Sequence, residues 1–190
     1  MFAIDLGEGA ELRPLEPWQA PEFLAHMDRA RESVNPWIPW AEYSADLASA
    51  TATLQRYADK AATDTGRLYG IWLDGTLIGG TMFVTFNAAT GTCEIGCWLE
   101  PAGRGRGLIT QAVTRLIDWA IDVRGMYRIE WRCRTDNIAS ANVARRVGMQ
   151  LEGVLRGEFA FHGTRYDTQV WSRVAPGPDR LIESRVSRRR

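Results

Sequence analysis

Apolar positions along this chain recur with two periods, near 3.6 in some stretches and 2 in others, and the switches between them mark out the elements. Residues 11–15 (Glu-Leu-Arg-Pro-Leu) predict a short strand. A proline-opened helix follows, with Trp18, Phe23, Leu24, Met27 and Val34 at helical spacing, until Asn35-Pro36-Trp37-Ile38-Pro39-Trp40 breaks it. Ser44 is placed to cap a second helix through about residue 62, with Leu47, Leu54, Tyr57 and Ala61 as its apolar stripe. Residues 67–73 alternate as a strand, Asp74-Gly75 makes a tight turn, and 76–86 return. Another strand covers 92–99.

After a glycine-rich stretch, Leu108, Ala112, Val113, Leu116, Ile117 and Ala120 trace a long amphipathic helix. Residues 127–133 predict a strand, 138–147 a helix, and 151–161 and 165–173 two closing strands. Helices separate some strands while others are joined directly, so a mixed α/β sheet is expected. No internal repeat and no dividing linker is visible. The expectation is one domain over 1–173 and an arginine-rich, flexible tail over 174–190.

Composition adds limits rather than an identity. The chain has 190 residues, 45% of them hydrophobic, which suits a single folded core. Its 23 basic and 23 acidic residues cancel, so no general attraction to nucleic acid or membrane is expected. The balance hides a gradient: residues 1–60 hold ten acidic groups against five basic ones, and 173–190 hold six arginines against Asp179 and Glu183. Cys93, Cys97 and Cys133 are too few for a disulfide framework and read as buried thiols, and no metal site is expected. No apolar run has the length of a membrane span, and Met1-Phe2-Ala3-Ile4-Asp5 lacks a basic leader start. The expected compartment is the cytoplasm.

The chemistry gathers at Pro101-Ala102-Gly103-Arg104-Gly105-Arg106-Gly107, between a strand and a helix. Glycines let backbone amides approach an anion, and the unpaired amides of a first helical turn point at it. A P-loop would need Lys-Ser/Thr after the glycines, where Leu108-Ile109 stand. A dinucleotide fingerprint would need glycine at position 108, which is leucine.

The stretch Arg104-Gly105-Arg106-Gly107-Leu108-Ile109 resembles the Gln/Arg-x-x-Gly-x-Gly/Ala pattern of the GNAT N-acetyltransferases, with Ile109 departing at the last position. Neighbouring segments extend the likeness. Glu94-Ile95-Gly96-Cys97-Trp98-Leu99 resembles the family's strand before the loop. Asn137-Ile138-Ala139-Ser140, Gly148-Met149 and Leu151-Glu152-Gly153 resemble its Asn-x-x-Ser helix start, Gly-Phe turn and Leu-Glu-Gly strand. The resemblance covers residues 10–172 and points to the subgroup acetylating serine or alanine N-termini of ribosomal proteins. It implies the acyl-CoA N-acyltransferase fold, a mixed, mostly antiparallel twisted central sheet flanked by helices.

The resemblance implies acetyl-CoA as co-substrate, with its pyrophosphate at Arg104, Gly105, Arg106, Gly107, Leu108 and Ile109. It places the pantetheine arm beside Cys97, Trp98 and Leu99, and its reactive end near Asn137 and Ser140. Many family members carry a tyrosine general acid where this chain has Ala144, so the proton donor implied here is Ser140. Asn137 also suits an N-cap, and Ser140 a first-turn residue bonded to backbone.

The base implied is a glutamate just after Leu-Glu-Gly. Ungapped counting puts Phe159 there and Glu158 one step early, on the opposite strand face unless a bulge intervenes. Glu94 and His162 are the other candidates. Trp37, Trp40 and Tyr43 resemble the aromatic acceptor-side segment, with Glu42 and Asp46 adding negative charge, though a plug between helices is the plainer reading. The acceptor that the resemblance implies is a protein N-terminal α-amine, of a ribosomal protein in the subgroup, or else a small amine such as an aminosugar antibiotic, polyamine or amino acid. A non-catalytic acyl-CoA sensor or scaffold is the competing class, and a homodimer remains open. Direct nucleic-acid binding through the tail lacks the aromatic–basic interleaving it would need.

Overall fold

A computed structural model describes residues 3–38 and 40–176, with the backbone alone for Trp40 and Ala41. The arginine-rich tail from residue 177 onward lies outside the described residues.

The chain opens with a hairpin, Ile4–Gly7 (β1) and Ala10–Pro14 (β2), where the sequence predicts only the second arm. Glu8 (φ 51°) and Gly9 (φ 75°) both take left-handed conformations in the turn, and Asp5 accepts from the Gly7 amide at 2.8 Å. A single 3-10 turn, Pro17–Gln19, leads into α1 (Ala20–Val34); α2 (Trp40–Tyr43) is one short turn. The next helix, α3 (Leu47–Ala62), is capped by Asp46 rather than by the expected Ser44. Asp46 accepts from the Ser49 amide at 2.7 Å while Ser49 Oγ accepts from the Asp46 amide at 3.1 Å, a reciprocal capping box. Ser44 is instead buried, its hydroxyl 3.0 Å from that of Thr53.

The central meander is β3 (Arg67–Leu73), β4 (Thr76–Asn87) and β5 (Thr92–Leu99). Then come α4 (Leu108–Asp118), which runs into a π-helical turn at Trp119–Val123, and β6 (Arg128–Arg134). The fold closes with α5 (Ile138–Arg146), β7 (Gln150–Phe161) and β8 (Thr164–Val174), so the last strand runs one residue past 173. Among the described residues no helix is long and apolar enough to cross a membrane.

The eight strands form one sheet in the order β1-β2-β3-β4-β5-β6-β8-β7. Every pairing is antiparallel except β5 with β6. Strand alternation sends Cys93, Ile95, Ile129 and Trp131 to one face, where α4 and α5 add Leu108, Val113, Leu116, Ala141 and Ala144. The other face buries Leu68, Trp72, Met82 and Trp98 under Phe23, Met27 and Ala30 of α1 and Leu54 of α3. The mixed, mostly antiparallel sheet flanked by helices is the fold expected from the sequence.

Candidate active site

The parallel pair β5/β6 is joined only at Thr92–Arg128, Cys93–Ile129 and Glu94–Glu130. Beyond Glu94 the strands separate, and along that edge no described strand pairs with Ile95–Leu99. The gap opens into a cleft of about 830 Å³, walled by both strands, the loop before α4, the start of α5, Ser33 and Val34 at the end of α1, and Trp37 and Ile38 just after it. A cleft of this size suits an extended small molecule; ligand sites commonly span roughly 300–1,000 Å³.

At one end lies the glycine turn. Gly105 (φ 82°) and Gly107 (φ 71°) hold conformations that a side chain would strain, and Gly107 is the N-cap of α4 without any side-chain cap bond. The Gln111 amide donates to Gly107 O at 3.0 Å, so the amides of Leu108, Ile109 and Thr110 precede the helical ladder. The side chains of Leu108 and Ile109 are buried in the core, leaving their backbone for a ligand. Arg104 borders the cleft, whereas Arg106 does not; Thr110, not singled out in the sequence, does. Left-handed glycines, three free helical amides and one arginine fit a pyrophosphate.

Cys97, Trp98 and Leu99 all border the cleft. The Trp98 indole, however, is 3% exposed and turned into the core beneath α1, so its side chain is structural and only its backbone edge is left for a pantetheine arm. Its Nε1–H donates to His26 Nε2 at 2.9 Å, and His26 Nδ1 donates to Glu100 Oε2 at 3.1 Å. Arg29 Nε also donates to Glu100, at 3.2 Å. Burial, then the charge of Arg29, pulls His26 down to about 3, so it is a neutral link between α1 and the strand end that feeds the loop. Burial pushes the Cys97 thiol up to about 12 and raises that of Cys133, which also borders the cleft.

At the start of α5 Asn137 is the N-cap, its Oδ1 accepting from the Ser140 amide at 3.0 Å. The Asn137 amide nitrogen is not consumed by that bond. Ser140 Oγ accepts from Trp131 Nε1 at 3.0 Å. Both Asn137 and Ser140 face the cleft, and Ala144 is buried in the core.

Carboxylates occupy the opposite sheet face. Glu94 borders the cleft and has no hydrogen bond or ion pair with another described side chain. Burial raises its pKa above the usual carboxylate value; Arg132 opposes this, Glu130 and Glu158 add to it, and Lys60 opposes it. A bulge explains how Glu158 joins this group: Leu155 pairs with Thr168 and Phe159 with Tyr166, so Arg156–Glu158 oppose Asp167 alone. Gly157 takes φ 60° there, and its amide donates to Asp167 Oδ1 at 2.8 Å. Glu158 Oε1 thereby stands 3.6 Å from Arg132 Nη1, but Glu158 itself does not border the cleft. Arg132 also faces Glu130 at 3.6 Å. His162, in the β7–β8 turn, pairs with Glu42 at 3.6 Å and lies outside the cleft wall. Glu130 and Arg132 were not singled out in the sequence; the alternation Arg128, Glu130, Arg132, Arg134 along one strand face was the available signal.

Trp37 and Ile38 wall the far end of the cleft, while Tyr43 is 67% exposed and does not border it. The Trp40 side chain lies outside what is described. Among the described residues no three His, Cys, Asp or Glu side chains gather so as to hold a metal ion.

Comparisons with known proteins identify the family. The chain is 26% identical over 177 residues to the Bacillus subtilis (strain 168) protein YdaF, provisionally named a ribosomal N-acetyltransferase, covering 90% of this chain and 94% of YdaF. It is 25% identical over 154 residues to the spermidine N(1)-acetyltransferase of Escherichia coli (strain K12), covering 80% and 79%. The solved structure of RimL, a ribosomal L7/L12 α-N-protein acetyltransferase in complex with coenzyme A, shares the fold at a TM-score of 0.86 and 22% identity, over 90% of this chain and 97% of RimL. Residues 10–150 match the family described as the acetyltransferase (GNAT) domain. The chain therefore belongs to the GNAT acetyltransferases, and it is an enzyme that binds acetyl-CoA and transfers its acetyl group.

Proposed function

We infer that the acceptor is the N-terminal α-amine of a protein, a ribosomal protein in the first instance, met in the cytoplasm. The observation that carries this reading is that one continuous cleft has the Ser140 hydroxyl and the Glu94 carboxylate on its walls, between the glycine turn and Trp37. Acetyl-CoA, when bound, supplies the thioester. The turn Gly105–Thr110 holds its pyrophosphate through backbone amides with Arg104 beside it, and the free edge of Cys97–Leu99 aligns its arm. Glu94 takes a proton from the incoming ammonium. The amine nitrogen bonds to the acetyl carbon, the carbon–sulfur bond breaks, and Ser140 relays a proton to the departing thiolate, its hydroxyl restored by the proton that the acylated nitrogen sheds. An α-amine titrates near 8, so it asks less of a carboxylate base than a lysine side chain would.

Similarity to YdaF supports the ribosomal reading. A second reading, a small polyamine acceptor, is favoured by the three carboxylates Glu94, Glu130 and Glu158 near Arg132, although Arg128 also holds Glu130 at 2.7 Å, and by the similarity to the spermidine enzyme. The test is to incubate the protein with acetyl-CoA and, separately, peptides beginning with Ser, Ala or Met, spermidine, an aminosugar and free amino acids, following mass gain and released thiol. Acetylation at peptide N-termini is expected. Turnover of small amines alone would overturn the reading.

A further inference from the structure

Arg134, at the end of β6, is an unusually committed side chain. Its Nη1 donates to Pro36 O at 2.9 Å, and its guanidinium stands 4.9 Å from the centre of the Trp37 ring. It also stands 3.5 Å from the centre of the Tyr166 ring of β8. Its Nε donates to Asp136 Oδ1 at 3.0 Å, and Nη2 donates to the second oxygen of the same carboxylate. One planar cation thus joins the turn after α1, strand β8 and the residue preceding the Asn137 cap. The side chain is only 11% exposed, whereas the Trp37 it holds is 37% exposed.

The turn needs such a tie. Asn35–Trp37 is held within its own segment by a few backbone bonds at the end of α1: the Asn35 amide to Arg31 O, and those of Trp37 and Ile38 to Val34 O. Pro36 has no amide to add. Helix α2, next along the chain, is too short to anchor the turn by itself. A guanidinium can bond a carbonyl in its plane while its faces lie against two aromatic rings, which an ammonium cannot reproduce.

We propose that Arg134 is the positioning residue of the acceptor wall: although it borders the cleft itself, it acts by fixing Trp37 there and thereby sets acceptor affinity rather than the binding of acetyl-CoA. This rests on the reading of Trp37 as acceptor wall, and its first test does not depend on which amine is the acceptor. In Arg134→Met, hydrogen exchange at the Trp37 and Ile38 amides is expected to rise at least about tenfold, with core strands unchanged. Acetyl-CoA affinity, measured by calorimetry, should stay within about twofold of the parent. For whichever amine the parent acetylates best, KM should rise about tenfold while kcat changes less than about threefold. Trp37→Ala should raise KM similarly, and adding Arg134→Met to it should cost little more, since both remove one device. Arg134→Lys should recover only part of the loss.

Unchanged exchange at Trp37 and Ile38 would overturn the proposal, as would additive effects of the two substitutions or a parallel loss of acetyl-CoA affinity. Should Arg134→Met not fold, Tyr166→Leu removes the second ring beside the guanidinium and is read by the same exchange and KM measurements. A protein that acetylates only small amines would defeat the N-terminal reading and leave these measurements intact.

Discussion

The indole N–H of Trp131 donates to the hydroxyl oxygen of Ser140 across 3.0 Å. A serine oxygen that already accepts keeps its own proton for another partner, and the adjacent Asn137 cap holds the first turn of α5 in place around it. A proton donor with a fixed orientation can act on a nearby thiolate although its pKa in water is unfavourable. Ser140→Ala is therefore expected to keep acetyl-CoA affinity and lose about a hundredfold in kcat, the lower range for a general acid. Trp131→Phe, which frees the oxygen without removing it, should cost less. Steady-state kinetics beside calorimetric acetyl-CoA titration checks both, and unchanged kcat in Ser140→Ala removes the residue from the mechanism.

The carboxylate cluster makes a prediction with a sign at each position. Glu94 is raised by burial, lowered by Arg132 and raised again by Glu130 and Glu158. If Glu94 is the base, kcat/KM should rise with pH through a limb above the ordinary carboxylate range as Glu94 loses its proton. Glu94→Gln abolishes that limb. Glu158→Gln removes a like charge and moves it to lower pH, whereas Arg132→Met removes a compensating charge and moves it to higher pH. pH–rate profiles of the three variants decide the matter, and loss of the limb in Glu158→Gln alone would reassign the base to Glu158.

What the sequence made legible was local. Strand 67–73, its Asp74-Gly75 turn and strand 92–99 follow from alternation and turn chemistry within a few residues, and the structure has them at the same bounds. The glycine turn was readable for the same reason. The first strand was missed because Ile4-Asp5-Leu6-Gly7 is short and its partner is recognisable only once Glu8 and Gly9 are seen in left-handed conformations. Ser44 and Asp46 are both plausible caps; the choice turned on Ser49 returning the bond. The placement of Glu158 depended on a bulge whose two extra residues no local pattern announces. His26 and Glu100 meet across 74 positions, and Arg134 reaches Pro36 across 98, so neither contact leaves a trace in periodicity.

The glycine turn allows a control for strain. Gly107 and Gly125 both take positive φ, 71° and 64°, and no added Cβ would clash at either, with only Gln111 Nε2 at 3.9 Å beside Gly107. Alanine at either should cost about 1 kcal/mol of stability by strain alone. Only Gly107 sits at the N-cap whose free amides face the cleft. Gly107→Ala should therefore weaken acetyl-CoA binding about tenfold or more, and Gly125→Ala should leave it unchanged at a similar loss in thermal stability. Equal affinity losses in both would show that the effect is general destabilisation.

The buried link His26–Glu100 carries an acid sensitivity separate from catalysis. His26 is fully buried and held at about 3 in the folded protein, against 6.5 for the free side chain. Below 6.5 the unfolded chain takes up a proton that the folded one refuses, so folding stability falls as pH drops and continues to fall until about 3. The slope from this one group approaches 1.36 kcal/mol per pH unit, so even two units of acidification cost about 2 kcal/mol, a sizeable share of a typical domain's stability. Glutamine at position 26 has one acceptor for the Trp98 indole and one donor for Glu100 but does not titrate. His26→Gln should thus be less stable than the parent near pH 7 through imperfect fit, yet lose less stability between pH 6.5 and 4. Denaturant melts of both proteins across that range test it; parallel curves would mean that His26 is protonated in the fold and that Glu100 holds it as an imidazolium.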